Sequence, residues 1–496
     1  MKNILFLTIL FAIGLFAVGL QSVFLLNWDV SWLMLVSRRL LAGGVYGKEF
    51  FEINPPMILY LYIPPVLLTK IFPITIMCAL RCYVFALAGF SLYICYRVSQ
   101  KIFSAKATRY LTIIMAMVFL LLPTYEFGQR EHLLILLVMP YLLLSAVRLE
   151  KTSISPTLAL VIGIMAGLGF AIKPFFLMTL GLVELYKIIF QRKLFSWVCI
   201  ETLVIVGILI TYAISTYVFY PEYFNVVIPA TMKNYYQGFG YPWEILIFRS
   251  IFFFCCIAGV LGAVFANKKP FYLIMVVALV GFLFSYLCQR TMWNYHLLPA
   301  FSLAILILAM QFWQLVEDSF NNGIPPFKER IFIVLVGITV FAFPIYLTSY
   351  NAVYVTAHYK NKITYLFDFI NQYAKNKPIY FFAATTVYAF PAIDYCQSIH
   401  ASRFAFLGWV PAVLKQNNIE AKNYYLDLMS EDFQLNKPAY VFVDIKDIKA
   451  NLEENPVNFV SYFSTDKNFQ KVWKNYSYFT TIDQSPAYKF AVYKLI

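Results

Sequence analysis

The chain has 496 residues, of which 61% are hydrophobic, 19% aromatic and 13% charged, with a formal net charge of +14 and a mean hydropathy of +0.70. A soluble domain carries roughly a quarter charged residues, so this composition excludes one and points to a polytopic membrane protein. The cations sit in short connectors between apolar runs, where they orient membrane helices, and no basic, aromatic-interleaved groove for nucleic acid is present.

A membrane helix needs about 20 mostly apolar residues. Residues 4–26 supply the first such run and read as a retained span, since no small-x-small cleavage site follows. Next comes "NWDVSW" (27–32), which places Asp29 between two tryptophans at the edge of the span. Asp29 would suit the cap of a helix over 30–41, whose Leu33, Val36 and Leu40 share a face, and Arg38 and Arg39 read as lipid-headgroup anchors. Residues 55–72 are apolar but broken by Pro64 and Pro65, and read as a juxtamembrane or re-entrant helix. Further spans are expected near 75–96, 110–123, 133–148, 156–172, 174–190, 197–220, 243–266, 271–288, 297–316 and 331–350. That makes about eleven crossings, or twelve if 55–72 also crosses.

Charge decides between the two counts. With 55–72 not crossing and the N-terminus inside, the inner loops hold Arg97, Lys101, Lys106 and Arg109; Arg148 and Lys151; Arg192 and Lys193; Lys268 and Lys269; Lys328 and Arg330. Every inner loop then carries at least two cations, as the positive-inside rule requires. The outer segments become 27–74, 124–132, 221–242, 289–296 and everything after about residue 350. Glu184, with Lys187 one turn on, and Glu201 lie toward inner helix ends and read as structural.

Residues 351–496 read as an extracytoplasmic α/β domain following a membrane domain over 1–350. "PIYFFAA" (378–384) and "AYVFVDI" (439–445) have the look of buried strands. Ile363, Leu366, Phe367 and Ile370 mark one helix face, and the closing segment reads as a hairpin around Gln-Ser-Pro. No Gly-rich phosphate loop is found there. Seven cysteines lie in or beside apolar runs and Cys396 stands alone in the polar part, so no disulfide framework or CxxC metal pair is available.

The scarce polar residues gather at the outer level. The first outer loop holds Asp29, Glu49 and Glu52; "PTYEFGQREH" (123–132) holds Glu126, Arg130, Glu131 and His132; "CQRTMWNYHLLPA" (288–300) holds Arg290, Trp293, Tyr295 and His296. Arg81 and Lys173 lie near the outer ends of their spans. Charges beside a bilayer persist where they face a wet cavity, although His132 and His296 also fit plain interfacial hydrogen bonding and the tryptophans an interfacial belt.

Together these segments resemble the GT-C superfamily of membrane glycosyltransferases, in particular bacterial relatives of the protein O-mannosyltransferases and of the lipid A aminoarabinose transferase. The resemblance covers roughly residues 1–350. It rests on Asp29 after the first span, "GGVYGKEFFEINPPMILYL" (43–61), "CALRCY" (78–83), "FGQREH" (127–132) and "WNYHLLPA" (293–300). Two positions depart from the family pattern: Asn54 stands where lysine often precedes the Pro-Pro pair, and Val30 follows Asp29 where some members have a second acid.

The resemblance implies a polyprenyl-phosphate sugar donor in the membrane lipid, an envelope glycan, lipopolysaccharide or protein as acceptor, and inversion at the sugar. Asp29 becomes the base and Glu126, Glu131 and Glu52 acidic auxiliaries. Arg81, Lys173 and Arg290 would hold the donor phosphate, with Arg130 behind them because Glu126 and Glu131 would neutralise it. Tyr46, His132, Tyr295 and His296 would meet sugar or acceptor. A divalent ion (Mg or Mn), if present, would sit on Asp29 and Glu126. The implied location is a bacterial inner membrane with the site on the periplasmic face. The alternatives are a transporter of lipid-linked sugars, which would place polar groups near the bilayer midplane, a pyrophosphate-carrier glycan ligase or polymerase, and a non-catalytic scaffold.

Overall fold

A computed structural model of the chain describes residues 3–234, 236–264, 266, 269–321, 331, 337, 350, 360–416, 419–452 and 457–496. The expected span at 331–350 lies almost wholly outside the described residues. At each of the other ten expected spans the structure has helix: α1 Asn3–Val23, α4 Ile76–Ser99, α5 Ala105–Leu120, α6 Arg130–Leu149, α7 Pro156–Phe170, α8 Leu177–Gln191, α9 Ile200–Phe219, and later Ser250–Val264, Pro270–Gln289 and Leu298–Asn321. Among the described residues seven helices are long and apolar enough to cross a membrane, and Met57–Ile71, Pro156–Phe170 and Ser250–Val264 are shorter apolar helices. The protein is a polytopic helical membrane protein with a C-terminal α/β domain.

Two expectations need correction. The first loop forms helix α2, Trp28–Leu41, whose N-cap is Asn27: its side chain accepts from the amides of Asp29 and Val30. Asp29 therefore stands inside the first turn and does not cap the helix. The 243–266 run is not one helix but two, Trp243–Ile247 and Ser250–Val264. Arg249 falls at the break, its guanidinium bonded to Met292 O and Asn294 Oδ1, and a cation in an apolar run is drawn to such partners. The 55–72 piece forms helix α3, Met57–Ile71, only 15 residues long with Pro64 and Pro65 inside and packed against α2.

The described chain divides into two compact units. The first comprises 1–24, 78–215 and 241–353; the second comprises 25–77, 216–240 and 354–496. This division differs in kind from the expected boundary at residue 350, which follows hydropathy and falls in a stretch mostly outside the described residues.

In the first unit α6 is the central helix, with 94% of its apolar window buried, against 11% for α1. Its run from Leu133 to Val147 carries no charge on any face, and a helix that is apolar all round packs inside. Small residues bring neighbouring helices close. At Gly281 an added Cβ would lie 2.6 Å from Thr179 Cα on α8. Gly281→Leu is expected to lower stability by about 1–3 kcal/mol or more, the scale of overpacking, read as a lower thermal midpoint of the purified protein in detergent.

In the second unit the C-terminal residues form a five-stranded sheet: β1 Pro378–Phe382, β2 Ile399–His400, β3 Tyr440–Asp444, β4 Tyr476–Gln484 and β5 Tyr488–Leu495, in the order β2-β1-β3-β5-β4. β2, β1 and β3 run parallel, and β5 and β4 form the antiparallel hairpin. β1 and β3 are buried nearly throughout, with Phe381 stacked on Phe442 at 4.6 Å. The Asn361–Tyr373 helix buries Ile363, Leu366 and Ile370. Asp466 caps the Lys467–Trp473 helix, accepting from Phe469 N and Ser430 Oγ, both at 2.7 Å. Burial alone would raise its pKa, but these bonds hold it below the usual carboxylate value. The stabilisation is thus complete above the unfolded carboxylate pKa and fades as pH falls through the folded one. Asp466→Ala is expected to cost about 1 kcal/mol, a deficit in urea midpoint that shrinks at acid pH.

Candidate functional site

The expected site residues fall into two groups, one in each compact unit. In the first unit α6 opens at Arg130, so Arg130, Glu131 and His132 occupy its first turn. Lys173 closes the α7–α8 connection, Gln289 ends the Pro270–Gln289 helix, and His296 lies in the turn leading into Leu298–Asn321. Four segments thus bring their polar residues together. Lys173 Nζ donates to Glu131 Oε1 at 2.5 Å and Gln289 Oε1 at 3.0 Å, and lies 3.2 Å from His296 Nε2. An ammonium has only donors, so that imidazole nitrogen accepts, leaving Nδ1–H for Thr291 Oγ1 at 2.8 Å.

Glu131 has no exposed surface. Its Oε1 faces Lys173 and His296, while its Oε2 is buried with no hydrogen-bond partner among the described residues. Beside it, Arg130 Nη2 donates to Tyr295 Oη at 3.1 Å and stacks over the same ring, and Lys173 Nζ lies 5.7 Å from that ring's centre. The cation that Glu131 pairs with directly is thus Lys173.

Arg81, Arg290 and His132 bond to other partners. Arg81 Nη2 donates to Phe24 O at 2.6 Å, satisfying a carbonyl just past the end of α1. Arg290 is exposed, sits in the left-handed region (φ +53) and donates to Tyr241 O at 3.4 Å. Both ring nitrogens of His132 are engaged locally, Nδ1 by Gly128 N and Nε2 by Phe119 O. Glu126 is half-buried in the 3-10 turn Thr124–Glu126. Toward other helix ends, Glu184 takes bonds from Tyr141, Lys187 and Thr202, and Glu201 receives a two-pronged bond from Arg148.

In the second unit Asp29 is half-buried in the first turn of α2, where the helix dipole favours an anion. Glu52 is buried and binds its own loop: Trp32 Nε1 donates to Oε2 at 2.5 Å, and Asn54 N and Nδ2 donate to Oε1 at 2.7 and 2.5 Å. Asn54 thus has a loop-building task. Tyr46 is fully buried against Phe50, Tyr220 and Tyr223.

The headgroup-anchor reading of Arg38 and Arg39 is corrected. Arg38 pairs with Asp394, and Arg39 donates to the carbonyls of Glu49, Ser402 and His400. His400 is pushed down to about 3, by burial first and by Arg39 second, so it stays neutral at physiological pH. Burial also raises the pKa of Asp432, against the pull of Arg403.

Gln289, Thr291, Asp394, Arg403 and Asp432 were not singled out in the sequence. Gln289 was visible as a polar residue ending an apolar span. Asp394 and Asp432 pair with residues hundreds or tens of positions away, and no period marks such partners.

No family model matches the chain, and no curated protein matches it. The fold is shown by similarity to solved structures. ArnT from Cupriavidus metallidurans, solved bound to undecaprenyl phosphate, superposes with TM-score 0.56 and 13% identity over 99% of this chain and 97% of that one. The Archaeoglobus fulgidus oligosaccharyltransferase in the apo form gives 0.51 and 13% over 99% and 74%.

Proposed function

We propose that the chain is an inverting glycosyltransferase that moves a monosaccharide from a polyprenyl-phosphate donor to an envelope glycan, lipopolysaccharide or protein. In this reading it works at the outer face of a bacterial inner membrane, and residues 351–496 form its periplasmic domain. The observation that carries the reading is Glu131. A buried acceptor without a partner costs about 1–3 kcal/mol, and the cost is offset where a substrate hydroxyl completes the bond. Glu131 presents such an acceptor beside a buried ammonium, in a fold shared with a protein solved on undecaprenyl phosphate.

Each group takes the role its own surroundings suit. Asp29 accepts the proton of the attacking hydroxyl. The new bond forms at the anomeric carbon as the bond to phosphate oxygen breaks, and polyprenyl phosphate leaves with the electron pair. Fixed cations stabilise that departing charge; Lys173 and Arg130 are the buried candidates, and Arg81 and Arg290 the more accessible ones. Tyr295 and His296 would meet the sugar, while Tyr46, Glu52 and His132 support the loops that carry the site.

Among the described residues no three His, Cys, Asp or Glu side chains gather to hold a metal ion, and no step here runs through one. A role for Asp29 and Glu126 in holding Mg²⁺ or Mn²⁺ predicts that EDTA abolishes transfer and either ion restores it. The reading itself is tested with purified protein in lipid vesicles and radiolabelled polyprenyl-phosphate sugars. Release of polyprenyl phosphate with label on an acceptor supports it; movement of intact donor across the bilayer without cleavage would show a transporter instead.

A further inference from the structure

Within the second compact unit, one carboxylate grips α2 at two points. Ser31 Oγ donates to Asp394 Oδ2 and Arg38 Nη2 to Asp394 Oδ1, both at 2.5 Å, and the Asp394 side chain is 1% exposed. Ser31 and Arg38 are seven residues apart, so they share a helix face about 10 Å apart along the axis. A second grip holds the loop that follows α2. Arg403 is fixed by Asp432, whose Oδ1 accepts from Nε and Oδ2 from the Arg403 amide, each at 2.8 Å. Arg403 in turn donates through Nη1 to Gly47 O at 2.9 Å and accepts from Phe51 N at 2.7 Å. Gly47 itself turns at φ +79.

Asp29 precedes Ser31 by two residues, about 200° around the helix. A grip on the Ser31–Arg38 face therefore sets the angle at which Asp29 is presented. The tip of a side chain lies about 5–6 Å from the axis, so a roll of about 20° moves it by about 2 Å. A base must come within about 2.6–3.2 Å of the atom that bears its proton, and such a roll exceeds that tolerance.

We propose that Arg38, Asp394, Arg403 and Asp432 are positioning residues: two ion-pair clamps by which the α/β domain locks the first loop and sets where Asp29 stands. Only the kinetic half of this inference rests on the glycosyltransferase reading. The test uses the full-length protein in lipid nanodiscs, comparing wild type, Asp394→Ala, Asp394→Asn, and the reciprocal pair Arg38→Asp with Asp394→Arg. Amide hydrogen exchange over residues 28–56 is expected to quicken about tenfold or more in Asp394→Ala. Transfer is expected to fall about a hundredfold in kcat while donor KM stays within about threefold. The reciprocal pair is expected to recover both.

Unchanged exchange in Asp394→Ala protein that melts like wild type overturns the clamp, as does a reciprocal pair no better than either single change. Should Asp394→Ala fail to fold, Asp394→Asn is read by the same two criteria. Should no sugar donor support transfer by wild type, the exchange result alone decides the clamp and the proposed function falls separately.

Discussion

Asp29→Asn protein, purified and returned to lipid, is expected to lose sugar transfer by about 10²–10⁴-fold, the range a positioned general base supplies. The change preserves size and shape and removes the ability to take a proton. It leaves the helix start intact, because Asn27 and not Asp29 caps α2. The lost attraction between an anion and the helix N-terminus is worth only about 0.3–1 kcal/mol. Insertion, yield and melting are expected to stay close to wild type, so a drop in turnover reports chemistry. Retained turnover by the asparagine variant removes the base assignment.

Lys173→Met is expected to act twice. It leaves the Glu131 carboxylate buried without its cation, and breaking a buried pair costs about 3–5 kcal/mol. It also removes a fixed charge proposed to stabilise the departing phosphate. Pairing it with Glu131→Leu tests whether the pair is only structural, because replacing both members of a buried ion pair by apolar groups is often neutral or stabilising. The double variant is expected to melt near wild type yet lose transfer, since it lacks both the cation proposed for the phosphate and the acceptor proposed for a substrate hydroxyl. Activity restored along with stability would show that the pair is only a structural staple.

How much of this was legible beforehand depends on the range of the interaction. Helices such as Arg130–Leu149 and strands such as Pro378–Phe382 announce themselves through hydropathy, a local property. The hairpin around Ser485 and Pro486 did so through turn chemistry. β2 went unread because two residues carry no pattern, and the break at Arg249 because its partners lie more than forty residues on. Of the candidate site, Glu131, Lys173, Tyr295 and His296 were picked out as scarce polar residues, and the structure joins them. Their mutual pairing was not visible, nor was the shift of Arg38 and Arg39 from lipid to protein partners. Charged side chains choose their mates in space, and composition reveals only that a mate is needed.

The second compact unit is assembled from stretches at 25–77, 216–240 and 354–496, and this imposes an order on biosynthesis. The segment bearing Asp29 leaves the ribosome early, yet Asp394, Arg403 and Asp432 are made only near the end of translation. At about 5–20 residues per second, the nascent segment waits roughly 20–80 s for the partners that shape it. A chain cut short before residue 394 would keep its membrane helices and release an unfinished loop, so the tail cannot be exchanged as a detachable cassette.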